Sequence, residues 1–94
     1  MGHNAIPVGG DGFRGEVHVG ARHLRLFSEV YLLGYVAVVY DVSANQEISR
    51  QDVDSLEEGK HRAEQAARDY LEQLDNALLP EVNWILHEHP QQQQ

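Results

Sequence analysis

Residues 10–17 read GDGFRGEV, with Gly10, Gly12 and Gly15 in G-x-G-x-x-G spacing and Val17 two places on. Glycines at that spacing let a backbone come close to a phosphate, as in dinucleotide-binding turns and the glycine loops of kinases. The chemistry needs a context. In the dinucleotide fold the glycines follow a strand and open a helix, whose N-terminal amides meet the phosphates. Here an arm containing Gly and Pro precedes them, and strand-like alternation follows. The kinase arrangement needs a lysine in a later V-A-I-K; the nearest counterpart, Val36-Ala37-Val38-Val39, has none, and neither H-R-D-L nor D-F-G occurs. The glycines are read as turns of a flexible arm entering the first strand, and no cofactor is expected.

Three other groupings carry ligand or acid–base chemistry in name. Glu58-Gly59-Lys60-His61 is an E-x-x-H, but a carboxylate-bridged di-iron site needs two such motifs inside a bundle core. His87-x-His89 supplies two imidazoles, short of a tetrahedral zinc set. Asp52/Asp54 and Glu57/Glu58 lie where carboxylates favour a helix start, whereas catalytic pairs need environments that split their pKa values. No metal ligand or catalytic residue is assigned, and an enzyme is not expected.

Ninety-four residues make one domain. With 41% hydrophobic residues and no cysteine, the chain must hold itself together by packing rather than disulfides. No apolar run is long enough to span a membrane, and MGHNAIPVGG lacks the basic and apolar regions of a secretory signal, so a cytoplasmic location is expected. The net charge of −8 is uneven: three arginines oppose two acids through Phe27, and four basic residues oppose thirteen acidic ones beyond it. Such a surface repels nucleic acid.

The elements that must position any site follow from periodicity. Residues 1–13 read as a Gly-rich arm and 89–94 as a disordered Gln-rich tail, leaving one domain over 14–88. Period-two alternation predicts a short strand over 16–19, a longer one through RHLRLFSEVYLL and a third in YVAVVYDV, with a fourth fitting 46–49. Turns at Gly20-Ala21 and Gly34 imply antiparallel hairpins. Ser55-Leu56-Glu57-Glu58 is a capping box. Beyond it Leu56, Gly59, Lys60, Ala63, Ala66, Ala67, Tyr70, Leu71, Leu74, Ala77 and Leu78 share one helical arc, with small residues where the helix approaches the sheet. Pro80 ends this helix and opens a second short one through EVNWILHE. The fold expected is α+β: a three- to four-stranded antiparallel sheet, β-β-β-α, with one long amphipathic helix on a face and overhanging it.

That fold leaves a second sheet face. We place Leu24, Val38, Leu56 and Leu74 in the interior, and His18, His23, Arg25, Phe27, Glu29, Tyr31, Tyr35, Ala37 and Val39 opposite. A solvent face normally reads polar, and this one mixes aromatics, aliphatics and cations. The function expected is a non-catalytic interaction module, homodimeric or bound to another protein, with His23, Arg25, Phe27, Tyr31, Tyr35, Val39 and Trp84 at the interface. Cover by the N-terminal arm and the Trp84 segment, or stacking of single-stranded bases, are the other uses of such a face. An alternative from a different class is an acidic decoy whose helix ridge of Glu58, Glu64, Asp69, Glu72 and Asp75 fills a basic nucleic-acid-binding groove. The stretch GYVAVVYDVSANQEISRQDVDSLEEGKHRAEQAARDYLEQL resembles HicB-type antitoxins, in a central strand followed by a capped, alanine-rich helix. The resemblance covers under half the chain, lacks that family's proline-glycine segment, and implies an antitoxin-like regulator.

Overall fold

The computed structural model describes residues 11–88. Five strands form one antiparallel sheet: β1 (Gly12–Val19), β2 (Arg22–Tyr31), β3 (Gly34–Asp41), β4 (Gln46–Val53) and β5 (Ile85–His87). Their order across the sheet is β4-β3-β2-β1-β5. One helix, α1 (Leu56–Asp75), packs on one face. The α+β class and the helix-on-sheet arrangement are as read from the sequence, with two strands longer than foreseen and one added.

The helix starts where its cap was read. Ser55 Oγ accepts from the Glu58 amide at 3.1 Å, and Glu58 Oε1 accepts from the Asp54 amide at 3.0 Å. Its buried stripe is Gly59, Ala63, Ala67 and Leu71, one residue per turn. These small side chains let the axis come close to the sheet. A Cβ on Gly59 would collide with Ser28 Oγ, which itself donates to the Leu56 carbonyl at 2.6 Å. Under the stripe lie Val17, Leu24, Leu26, Ala37, Val39 and Val53.

Several expectations are corrected. The glycine stretch is strand, not loop: Gly12 and Gly15 both lie in β1, and Phe13 pairs with Ser28. Gly15 is needed because Val82 crosses over it, where an added Cβ would meet Val82 Cγ1 at 2.5 Å. The turn between β2 and β3 is Leu32-Leu33 rather than Gly34, which opens β3. The faces of β3 are reversed. Register sets Leu26 opposite Val39 and Phe27 opposite Val38, so Ala37 and Val39 lie under the helix while Val36 and Val38 join Phe27 on the other side. Both faces of β3 are aliphatic, so alternation alone could not choose between them.

The helix stops at Asp75 because Asn76 adopts the left-handed conformation, its amide bonding back to the last turn. Leu74, in the last turn and off the buried stripe that ends at Leu71, is 54% exposed rather than interior. Twenty helical residues span about 30 Å. The ten residues of β2 span about 33 Å, so no overhang forms. Beyond Asn76 the chain forms no second helix but an irregular segment leading to β5, where Leu86 pairs with Phe13. Trp84 packs on the helix side, its Nε1 donating to Glu64 Oε2 at 2.7 Å, so it is no cover for the opposite face.

Candidate functional site

The face away from α1 is built from alternate positions of the strands. At its centre Phe27, Val36 and Val38 form an apolar strip, each at most 1% exposed, with Tyr40 packed against it. The Arg14 guanidinium lies 5.1 Å from the Phe27 ring centroid, and Arg50 lies 5.7 Å from that of Tyr31. Both arginines cover the apolar strip, and the Nε of Arg14 is itself buried there. Phe27 is thus withdrawn from any partner, contrary to its expected place at an interface.

Glu29 sits beside this strip and is fully buried. Arg14 Nη2 is 4.0 Å from its Oε2, and neither carboxylate oxygen has a hydrogen-bond partner among the described residues. Burial pushes its pKa up to about 7, opposed by Arg14 and reinforced by Asp11. Period-two alternation does not mark Glu29 out, because it shares a face with His23 and Arg25 as well as with Phe27, and its burial against Val36 comes only from the register with β3.

At the Gly20-Ala21 turn the same face carries Glu16 and His18 of β1 and His23 of β2. His18 pairs with His23, their rings stacked at 4.1 Å, and Glu16 pairs with Arg25. Glu16 Oε1 bonds His23 Nε2, and Arg25 Nε donates to Glu16 Oε2 at 2.6 Å. Burial raises the Glu16 pKa, but the bonds to His23 and Arg25 outweigh it and hold the carboxyl below its ordinary value. One potential ligand atom from each of Glu16, His18 and His23 lies within 4.8 Å of the others. The sequence signal would have been E-x-H before a two-residue turn and a histidine two places after it.

A second network, centred on the buried Asp41, closes the same end of the molecule. Arg22 Nη1 and the Tyr70 hydroxyl each donate to Asp41 Oδ2 at 2.6 Å, and Arg22 Nε donates to Asp75 Oδ2 at 2.6 Å. The Ala44 amide donates to Asp41 Oδ1 at 3.1 Å. Burial of Asp41 raises its pKa, but the donors from Tyr70, Arg22 and Ala44 more than offset this and leave it lowered. The cleft beside the network, about 370 Å³, is walled by this satisfied Arg22–Asp75 pair.

A continuous run of exposed apolar residues lies at the opposite end, where β2 turns into β3, while Leu74, Leu78, Ile85 and Leu86 are exposed at and beyond the helix C-terminus. Val30, Tyr31, Leu32, Leu33 and Tyr35 are all among the exposed large hydrophobic residues, Leu32 at 82% and Leu33 at 105%. Leu32 holds a left-handed backbone with φ 57°. That region costs an ordinary side chain about 1 kcal/mol and is usually left to Gly, Asn or Asp in two-residue turns. Beside the tip a hollow of about 290 Å³ runs between Tyr31, Leu33, Tyr35 and the end of β4 at Asp52 and Val53.

Of the seven residues expected at an interface, Tyr31 and Tyr35 reach this exposed end. Val39 and Phe27 are buried, His23 and Arg25 are tied to Glu16, and Trp84 is on the helix side. Leu32 and Leu33 were missed because apolar residues in a strand-like run look like core. In the acidic ridge, Glu58 caps the helix and pairs with Arg62 at 3.3 Å, Glu64 holds Trp84, Asp69 accepts from Gln65 at 3.0 Å, and Asp75 holds Arg22. His87 lies in β5 opposite Gly12, while His89, most of the N-terminal arm and the Gln-rich tail lie outside the described residues. No helix in the described residues is long and apolar enough to cross a membrane. No known protein family, curated protein or solved structure matches the chain.

Proposed function

We propose that the chain is a non-catalytic interaction module that self-associates through the β2–β3 hairpin end. The observation that carries this reading is the pair Leu32-Leu33, almost fully exposed at a turn whose backbone disfavours leucine. Burying one such side chain is worth about 1.5–3 kcal/mol. A knob at Leu33 and a hollow between Tyr31, Tyr35 and Val53 adjoin on the same end, which is what a two-fold interface between identical surfaces requires. Residues 30–35 carry no formal charge, so two acidic copies can meet there without apposing like charges from the tip itself. Sheet extension is a weaker route. The outer strand β4 carries Glu47, Arg50 and Asp52, and charged edges discourage strand addition.

The acidic decoy draws less support, because most of its ridge carboxylates already hold partners within the chain. The test is light scattering across a concentration series for the native chain and for Leu33→Ser. Dimerisation that Leu33→Ser weakens at least tenfold supports the reading. A chain that stays monomeric at millimolar concentration, or a dimer indifferent to Leu33→Ser, removes it.

A further inference from the structure

The far end of the molecule holds a different kind of site. Glu16 and His18 are successive outward positions of β1, and hairpin register places His23 of β2 opposite His18 and diagonal to Glu16. Two imidazoles and a carboxylate are a donor set suited to zinc, whereas magnesium and calcium favour oxygen alone. The three ligand atoms already lie within 4.8 Å of one another. A tetrahedral zinc with ligands at about 2.0–2.1 Å needs them about 3.3 Å apart, a change within reach of side-chain rotation.

The scaffold around them is fixed. Both strands are hydrogen-bonded in the sheet, and the His23 amide donates to Ser43 Oγ at 2.7 Å. Arg25 occupies Glu16 Oε2 and leaves Oε1 turned toward His23. That Glu16–His23 bond sets a carboxylate oxygen and a ring nitrogen face to face, as they would be on either side of an ion. Glu16 and His18 are exposed, so an ion can reach the site without unfolding.

We propose that Glu16, His18 and His23 bind a single Zn²⁺, with the fourth position left to water or an incoming ligand. The ion replaces the hydrogen bond between Glu16 and His23 and separates the stacked rings. It pins the first hairpin near its turn, and it does so independently of the leucine tip, which is at the other end of β2. Arg25 limits affinity by its charge.

Calorimetric titration of the full chain with zinc chloride tests this, with thermal unfolding alongside. One ion per chain is expected, weakened at least tenfold by His18→Ala or His23→Ala and several-fold by Glu16→Gln. His61→Ala and His87→Ala, outside the cluster, leave it unchanged. At a free zinc concentration a hundredfold above Kd the native chain gains about 10–20 °C in Tm, and the His18→Ala chain does not. Imidazole NMR signals of His18 and His23 shift on zinc addition in the native protein, which keeps the test independent of whether a variant folds. No saturable binding up to millimolar zinc overturns the proposal. So does affinity that survives His18→Ala and His23→Ala together, or that is lost in His61→Ala or His87→Ala instead.

Discussion

Ser28 Oγ donates a 2.6 Å hydrogen bond to the Leu56 carbonyl, joining the middle strand of the sheet to the first turn of the helix. Gly59 makes the approach possible, since any Cβ there would occupy the space of the Ser28 hydroxyl. An exposed helical Gly→Ala exchange usually stabilises by up to about 1 kcal/mol. Here the collision dominates, and Gly59→Ala is expected to cost about 1–2 kcal/mol. Urea unfolding measures it. In a Ser28→Ala background the penalty should shrink, and a double-mutant cycle without coupling would show that the two residues do not meet as described.

Glu29 gives the protein a pH dependence of unusual sign for a carboxylate. Its folded pKa is about 7 against an ordinary 4.5, so between these values the folded chain keeps a proton that the unfolded chain releases. Stability from this group is complete below pH 4.5 and is lost as pH rises through about 7. Glu29→Gln should flatten that slope and leave the protein about 1–3 kcal/mol more stable at pH 8. Urea midpoints at pH 5, 6, 7 and 8 for both proteins decide it; parallel curves would remove Glu29 as the cause.

Asp41 acts with the opposite sign. Its hydrogen bonds lower its pKa, so its contribution is present above the ordinary aspartate value of 3.8 and fades as pH falls through the lowered one. Asp41→Asn is expected to cost about 2 kcal/mol at neutral pH, and Tyr70→Phe about 1 kcal/mol. Because the two residues are partners in one hydrogen bond, the double variant should lose less than the two losses added together. Additive losses in chemical denaturation would mean the network is not a unit.

Leu32 separates folding from association. Asparagine tolerates the left-handed backbone that leucine strains, so Leu32→Asn should stabilise the dilute monomer by about 0.5–1 kcal/mol. The same change removes an exposed apolar side chain from the tip, so self-association should weaken. Unfolding at low concentration and light scattering at high concentration must move in opposite directions. A variant that associates as well as the native chain would place the contact elsewhere.

Much of this architecture was legible residue by residue. Ser55 and Glu58 announced the helix start, and the Gly59/Ala63/Ala67 stripe announced its close approach, because both are local and periodic. The faces of β2 could be read because its interior leucines alternate with His23, Arg25 and Glu29. Those of β3 could not, with valines on both sides, and only the pairing of Val38 with Phe27 settles them. The 85–87 strand was hidden for a different reason. Its partner is β1, more than sixty residues earlier, and its own three residues carry too little pattern to separate a strand from a helix. The Glu16–His18–His23 cluster likewise exists only through cross-strand register.

The order of the sheet also bears on how the molecule assembles and opens. The first four strands lie side by side in chain order, each joined to the next by a tight turn, so the meander can zip up through short loop closures. The terminal strand must instead return across the whole helix to gain three paired residues. Its amides should exchange with solvent well before those of β2 and β3, as a separate opening unit. When that end lifts away, Gly12–Arg14 of β1 lose their strand partner, and their backbone donors and acceptors become a template for any extended chain that comes alongside.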